Sequence, residues 1–408
     1  MASQSWHSKV LIVSAAALIV GNLVGAGILG LPINTGLAGL WPSLVAMVVG
    51  GLIMSLTAVI LGGQAAACRS ETFDYPSLYE KYLGKIGKWI AIIANLIILY
   101  GLLTAYFTGG ATIAASLVGC SDSGHLILFL FAAPLILITC MNVSLLQKLN
   151  MFFILFLIST FGLILFLGFR GVHTERMHYT DWSFLPSTLP IIITAFHFHN
   201  IIPVLSAHLE WDRAKFNKSV ALGMLLAFVM NGLWVMVAIG VIPLSGENSI
   251  LKAWETNLPA TVPMAHQLKS TTFTLFASLF AMVAICTSFL ANGLGLQNFI
   301  RDLLGNTFKI KSRALVIAAT FLPPLLTAFF YPDIFLKALD IVGGVGIVVL
   351  FCLLPTVIII RDSRRSKSFR ALCMAAFLFA LFVLVMEILQ ECGMLQLCPW
   401  IEYHKINF

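Results

Sequence analysis

Two histidines, an asparagine and two prolines interrupt an apolar run at Pro190, His197, His199, Asn200 and Pro203. Imidazole changes charge nearest neutral pH, so a histidine inside an apolar run can carry a proton or bond a substrate. Pro203 offers no N–H to the carbonyl of His199, and asparagine tolerates left-handed backbone. Residues two apart on a regular helix point about 200° from each other. Either this segment is unwound, or one of the two rings packs against a neighbouring helix. His199 then carries a coupled proton or contacts substrate, or else it is a neutral cap on the broken helix. The same alternatives apply to His197, with Phe196 and Phe198 beside them.

A second interruption lies at Gly21-Asn22-Leu23-Val24-Gly25-Ala26-Gly27-Ile28-Leu29-Gly30-Leu31-Pro32. Each of its glycines weakens a helix by about 1 kcal/mol relative to alanine. Small residues four apart (Gly21, Gly25) also suit close helix packing in membranes. The competing reading is an unwound stretch whose backbone N–H and C=O groups face a ligand. Elsewhere, Lys337 and Asp340 are three apart, which permits a neutralising pair. Asp340 alone reads as an outer gate or a protonatable carboxylate. Thr287 and Ser288 can bond carbonyls in their own helix or line a site. Tyr100 and Thr104 share a helix face, with Tyr106 near them, as pocket or packing groups.

What positions these residues follows from composition. The chain has 408 residues, only 10% of them charged and 60% hydrophobic. Soluble domains carry roughly 25% charged residues. A soluble enzyme, a nucleic-acid binder and a disordered scaffold are excluded, and the net charge of +7 is a topology signal. The eight cysteines show no CxxC and no metal spacing. No GxxxxGK[ST], no HExxH and no pair of intramembrane aspartates occurs, which argues against ATP drive and against an intramembrane enzyme. No cofactor and no resident metal is expected.

Runs of about 20 apolar residues mark membrane helices. Eleven stand out, near residues 10–31, 40–67, 89–118, 126–142, 149–168, 185–207, 220–242, 273–299, 314–330, 334–360 and 371–389. The first is too long for a signal-peptide core and reads as a retained helix. With the N-terminus cytoplasmic, 18 of the 24 Lys and Arg fall on the inner side and six on the outer. That bias predicts N-terminus in and C-terminus out. Glu387 and Glu391, near the outer end of helix 11, read as interfacial.

The interrupted runs are helices 1 and 6, five spans apart. A repeat of five crossings returns upside down, and paired broken helices in inverted halves point to a secondary transporter's binding site. Freed helix N-termini suit a carboxylate and freed carbonyls suit an ammonium or a cation. That combination fits a zwitterion such as an amino acid.

Several motifs taken in order resemble the hydroxy/aromatic amino acid permeases. They are Gly25-Ala26-Gly27-Ile28-Leu29 with Pro32, Tyr100 to Gly110, and Phe196 to Pro203. Thr287-Ser288-Phe289-Leu290 with Gly295-Leu296, Thr320 to Leu325, and Tyr331-Pro332 complete the set. The resemblance implies an all-α membrane protein of 11 transmembrane helices. It also implies a LeuT-type 5+5 inverted repeat, discontinuous at helices 1 and 6, with one extra helix. The repeats would span 1–170 and 171–362, with 363–408 holding helix 11 and an extracytoplasmic tail. The implied activity is proton-coupled import of tyrosine, tryptophan or phenylalanine across a bacterial inner membrane. Substrate would meet Asn22, Gly25, Ala26, Gly27, Tyr100, Thr104 and Phe196 to Asn200. Coupling or gating would involve His199, Thr287, Ser288, Lys337 and Asp340.

Two departures bear on this. His197 and Asn200 stand where the family has glycine, which narrows the expected pocket. No lysine occurs in 149–168, and Leu157 falls near the place where one is expected. Sodium coupling, with Thr287 and Ser288 as ligands, is therefore the alternative to the proton. A metal-ion transporter using His197 and His199 is the more distant one.

Overall fold

An apolar chain in a membrane must pair its backbone groups internally, which restricts it to helices or a closed barrel. The computed structural model describes residues 2–69, 74–118, 124–141, 143–307, 309–310, 312–395 and 399, nearly all of them helical. Lys311, Lys405 and the expected extracytoplasmic tail beyond 399 lie outside the described residues. The first expected span is two helices, α1 (Ala2–Leu23) and α2 (Ala26–Gly36). Then come α3 (Leu40–Cys68), α4 (Tyr75–Val118), α5 (Gly124–Met141) and α6 (Val143–Phe169). The sixth span is also two helices, α7 (Leu185–Ala195) and α8 (Ile202–His208), followed by α9 (Arg213–Val241). Short α10 (Ile250–Glu255) and α11 (Thr261–Leu268) lead to α12 (Thr271–Thr307) and α13 (Arg313–Phe330). The tenth span is α14 (Phe335–Ile341), a π-helical segment Val342–Leu353, and α15 (Leu354–Arg361), and α16 (Lys367–Glu391) follows.

Among the described residues, nine helical stretches are long and apolar enough to cross a membrane. The fourth and fifth expected spans coincide with α5 and α6, whose apolar stretches, His125–Cys140 and Leu155–Phe169, are shorter. Burial separates an inner from an outer set. In the most apolar window of the α7–α8 span 78% of residues are buried, against 28% for α13 and α16. The α7–α8 span and the tenth span, 72% buried in its own window, are therefore enclosed, while α13 and α16 present most of their apolar surface outward, as a bilayer-facing helix must. α1 and α3 pack on α9, α4 and α6 on α12, and α2 and α3 on α7.

The tenth span is more distorted than an uninterrupted apolar run suggests. Its π segment holds Gly343, Gly344 and Gly346, and three different helices press against them. A Cβ on Gly343 would overlap the carbonyl of Pro190 in α7. On Gly344 it would stand 2.6 Å from Cγ of Glu387 in α16, and on Gly346 2.6 Å from Ile98 of α4.

The prolines raise an accounting problem that the fold resolves in one way four times. A proline leaves the carbonyl four residues earlier without its helical N–H. Pro32 frees Ile28, whose carbonyl accepts from the Trp234 indole at 2.8 Å. Pro203 removes the helical donor to His199, whose carbonyl accepts from the Ile202 N–H of the 3-10 turn and from the Tyr75 hydroxyl. Pro323 frees Ala319, whose carbonyl accepts from Tyr100 at 2.6 Å. In π-helical geometry the missing donor lies five residues on, so Pro355 frees Leu350, and Tyr79 donates there at 2.7 Å. Each aromatic side chain ties a bent helix to a neighbour.

Gly343→Ala should force α7 away from the π segment and lower the midpoint of thermal unfolding in detergent by several degrees. Gly162→Ala, where a Cβ would meet nothing within 4 Å, should leave the midpoint unchanged or raise it, as helix propensity dictates.

Candidate functional site

Both interruptions are true breaks, and they lie side by side. α1 ends at Leu23 and α2 begins at Ala26 with extended Gly25 before it, its cap lacking any side-chain bond. α7 ends at Ala195, a non-helical stretch carries Phe196 to Phe198, and a short 3-10 turn holds His199–Ile201 before α8. The close packing expected of small residues also occurs, and it joins the two breaks. A Cβ on Gly27 would lie 3.2 Å from Cα of Ala195, and one on Gly25 2.9 Å from the Ser288 hydroxyl. The backbone of helix 1 thus meets the backbone of helix 6 on one side and α12 on the other.

A cavity of about 210 Å³ occupies the angle between the breaks. Its polar lining is Asn22, His197, Asn200, Thr194, Tyr106, Thr287, Ser288 and Asn292, with Gly21, Gly25 and Gly27 contributing backbone. Leu102 and Leu157 are among its apolar walls, so the position without lysine faces the cavity as a leucine. On the α1 side the cavity reaches Leu18 and Ile201. The opposite, α2 side is packed shut. Gly30 lies against Leu336, Ile191 and Leu339, and the Ala260 N–H bonds the Leu29 carbonyl at 2.9 Å.

The sequence-derived residues divide accordingly. Asn22, Gly25, Gly27, His197, Asn200, Thr287 and Ser288 converge on the cavity. Ala26 opens α2 at the break. Phe196 and Phe198 are fully buried behind the cavity. Tyr100 turns away to Ala319, and the Thr104 hydroxyl back-bonds the Tyr100 carbonyl at 2.9 Å, so both serve packing. Thr287 likewise back-bonds Val283 at 2.8 Å while lining the cavity.

The two histidines have different surroundings. His199 is fully buried, its Nε2 3.0 Å from the Thr57 hydroxyl, and it does not line the cavity. Because Thr57 also donates to the Met54 carbonyl at 3.2 Å, the ring donates from Nε2 and its Nδ1 is left without a partner. His197 does line the cavity, and among the described residues its Nε2 has no partner. The rings lie with centroids 5.8 Å apart and planes 5° from parallel, and Phe351 packs on both. Among the described residues no third His, Cys, Asp or Glu joins them in a metal-holding group.

Two electrostatic expectations are corrected. Lys337 does not neutralise Asp340; it pairs with Glu391 at 2.9 Å. The Asp340 carboxylate instead accepts twice from Nδ2 of Asn34, at 2.8 Å each. Glu387 is not interfacial but 4% exposed, because Gly344 lets its stem lie against the tenth span. Asn292, absent from the sequence-derived set, donates to the Tyr106 hydroxyl at 3.2 Å. Its spacing of four from Ser288 places both on one face of α12 and was the available signal.

Comparisons with known proteins agree with this architecture. The tryptophan/tyrosine permease family profile matches residues 8–392. Tyrosine-specific transport system 1 of Haemophilus influenzae is 27% identical over 335 residues, covering 81% of this chain and 83% of the relative. The tryptophan-specific transport protein of the same organism is 27% identical over 357 residues, with the same coverage. Glutamine transporter 2 of Aliivibrio fischeri is 24% identical over 364 residues, covering 87% and 90%. Among solved structures, a mutant of the Eremococcus coleocola manganese transporter superposes with a TM-score of 0.64. That match covers 98% of this chain and 89% of the other at 13% identity, which shows a shared fold.

Thr57→Val removes the acceptor for the His199 N–H and strands a buried donor, at a cost of about 1–3 kcal/mol. Lower thermal stability in detergent should result, with Thr57→Ser close to wild type.

Proposed function

The chain belongs to the tryptophan/tyrosine permease family, and from that premise we propose that it imports an aromatic amino acid by secondary active transport. The observation that carries the reading is the cavity built where two helix breaks meet. At the start of α2 the backbone N–H groups have no side-chain cap, and a helix N-terminus favours a carboxylate. The C-terminal ends of α1 and α7 present carbonyls nearby, which favour an ammonium. An amino acid's two charges thus find opposite helix ends, and its side chain finds Leu102, Leu157 and Tyr106. At about 210 Å³ the cavity is smaller than the roughly 300–1,000 Å³ of drug-sized pockets, which suits one amino acid. His197 and Asn200 supply the polar atoms that a phenol or indole N–H can meet.

In this reading α1–α6 and α7–α15 are the two inverted repeats, α16 is the extra helix, and the membrane is crossed eleven times. Positive-inside bias puts the start of α1 in the cytoplasm, so the cavity leans inward and the closed α2 side faces out. Alternating access then moves α1 and α8 against α2 and α7. The driving ion in this reading is the proton. Sodium is the second reading, favoured by the Ser288 hydroxyl lying beside Gly25.

Proteoliposomes acidified outside should accumulate labelled tyrosine or tryptophan at least tenfold over those at equal pH, and Gly25→Val, which fills the cavity, should abolish this. Equal equilibration with and without a proton gradient would remove the coupling. Binding of manganese or zinc with no binding of any aromatic amino acid would remove the substrate class. Asn200→Leu should weaken binding of the substrate about tenfold in calorimetry while leaving thermal stability within a few degrees of wild type.

A further inference from the structure

Outside the cavity, on its closed side, three buried polar side chains meet. Asn34 lies in the last turn of α2, Asp340 sits near the end of α14 just before the π segment, and Glu387 comes from α16. Asn34 is 1% exposed and donates to both oxygens of Asp340. Among the described residues its own Oδ1 has no partner, and neither has Oε1 of Glu387. Both orphans are acceptors, so what the cluster lacks is a positive donor.

The charges around it make the same point. Glu387, Glu391 and Lys337 are the charged groups that face Asp340. Lys337 lies half exposed at the rim and is taken by Glu391. α2, α7, the π segment and the outer half of α4 carry no charged residue, and Lys252 and Glu255 of α10, which packs on α2, pair with each other at 3.2 Å. Among the described residues, Asp340 and Glu387 thus stand as two carboxyl groups without a cation of their own. Two carboxylates sharing one apolar site cannot both be ionised at low cost.

We propose that Asp340, held by Asn34, and the neighbouring Glu387 form a proton-binding site, with one proton on the pair of carboxyl groups while the outer side is closed. The site deepens the transport reading and rests on it. Asn34 belongs to α2, the same helix whose N-terminus faces the cavity, so moving α2 outward breaks the bonds to Asp340. Opening the outer side exposes the carboxyl pair to the outer solution, and closing it over a protonated pair restores the Asn34 bonds. Occupancy of the site and access to the cavity are therefore linked through one short helix, with α16, the helix outside the two repeats, supplying half of the proton site.

Infrared difference spectra of the purified protein between acid and alkaline pH test this without any substrate. Wild type should show a protonated-carboxyl band that titrates, lost in Glu387→Gln and shifted in Asp340→Asn. Glu391→Gln should keep the band. In proteoliposomes, Glu387→Gln should lose at least tenfold of the accumulation that a pH gradient drives, with thermal stability confirming a folded protein. A band unchanged in both variants would overturn the site. A titrating band that belongs to the pair, in a protein that transports no amino acid, would uphold the site and remove the transport reading instead. Accumulation that follows a sodium gradient at equal pH, with no titrating band, would replace the proton by sodium and overturn the proposal.

Discussion

A backbone N–H or C=O with no partner in an apolar interior costs several kcal/mol, and this constraint organises the molecule. The prolines Pro32, Pro203, Pro323 and Pro355 each release a carbonyl, and Trp234, Tyr75, Tyr100 and Tyr79 take them up. Bends that would be expensive in isolation become cross-links between helices. At the breaks of helices 1 and 6 no such side chain caps α2. Backbone polarity at these breaks is directed at a cavity, where a ligand or water can meet it. Four proline-freed carbonyls thus find aromatic donors, while the start of α2 keeps its N–H groups toward the cavity.

Glycine sets the geometry that this arrangement needs. Gly27 against Ala195 and Gly25 against Ser288 bring three helices together at the breaks. Gly343 and Gly344 bring the tenth span against α7 and α16, and with α16 comes Glu387. The closed and open sides differ in kind as well. The α2 side is held by backbone and carboxylate bonds in tight packing. On the other side the Ser14 hydroxyl and the His208 ring, 2.7 Å apart, tie α1 to α8 at an exposed position. Motion is cheaper where fewer buried contacts must break.

Much of this was legible in the sequence. Apolar runs located the helices, because a membrane admits few other structures, and Gly21 to Pro32 and Phe196 to Pro203 located the breaks, because glycine and proline act locally. What the sequence hid was direction. Tyr100 and Thr104 share a face, but only packing decides whether that face meets the cavity or α13. His197 and His199 look equivalent at a spacing of two, yet unwinding turns one to the cavity and the other to Thr57. The partners Asn34 and Glu387 lie 306 and 47 residues from Asp340. Local spacing suggested Lys337 instead, and an i,i+3 argument cannot see a neighbour from another helix.

In the proposed transport cycle substrate sits between the two helix breaks, with its charges on opposite helix ends. A structure of the protein bound to tyrosine tests it most directly. The carboxylate should lie at the start of α2, the ammonium against the last carbonyls of α1 and α7, and the ring between Tyr106, Leu157 and His197. Tyrosine bound elsewhere, with the space between Gly25 and Asn200 unchanged, would contradict it.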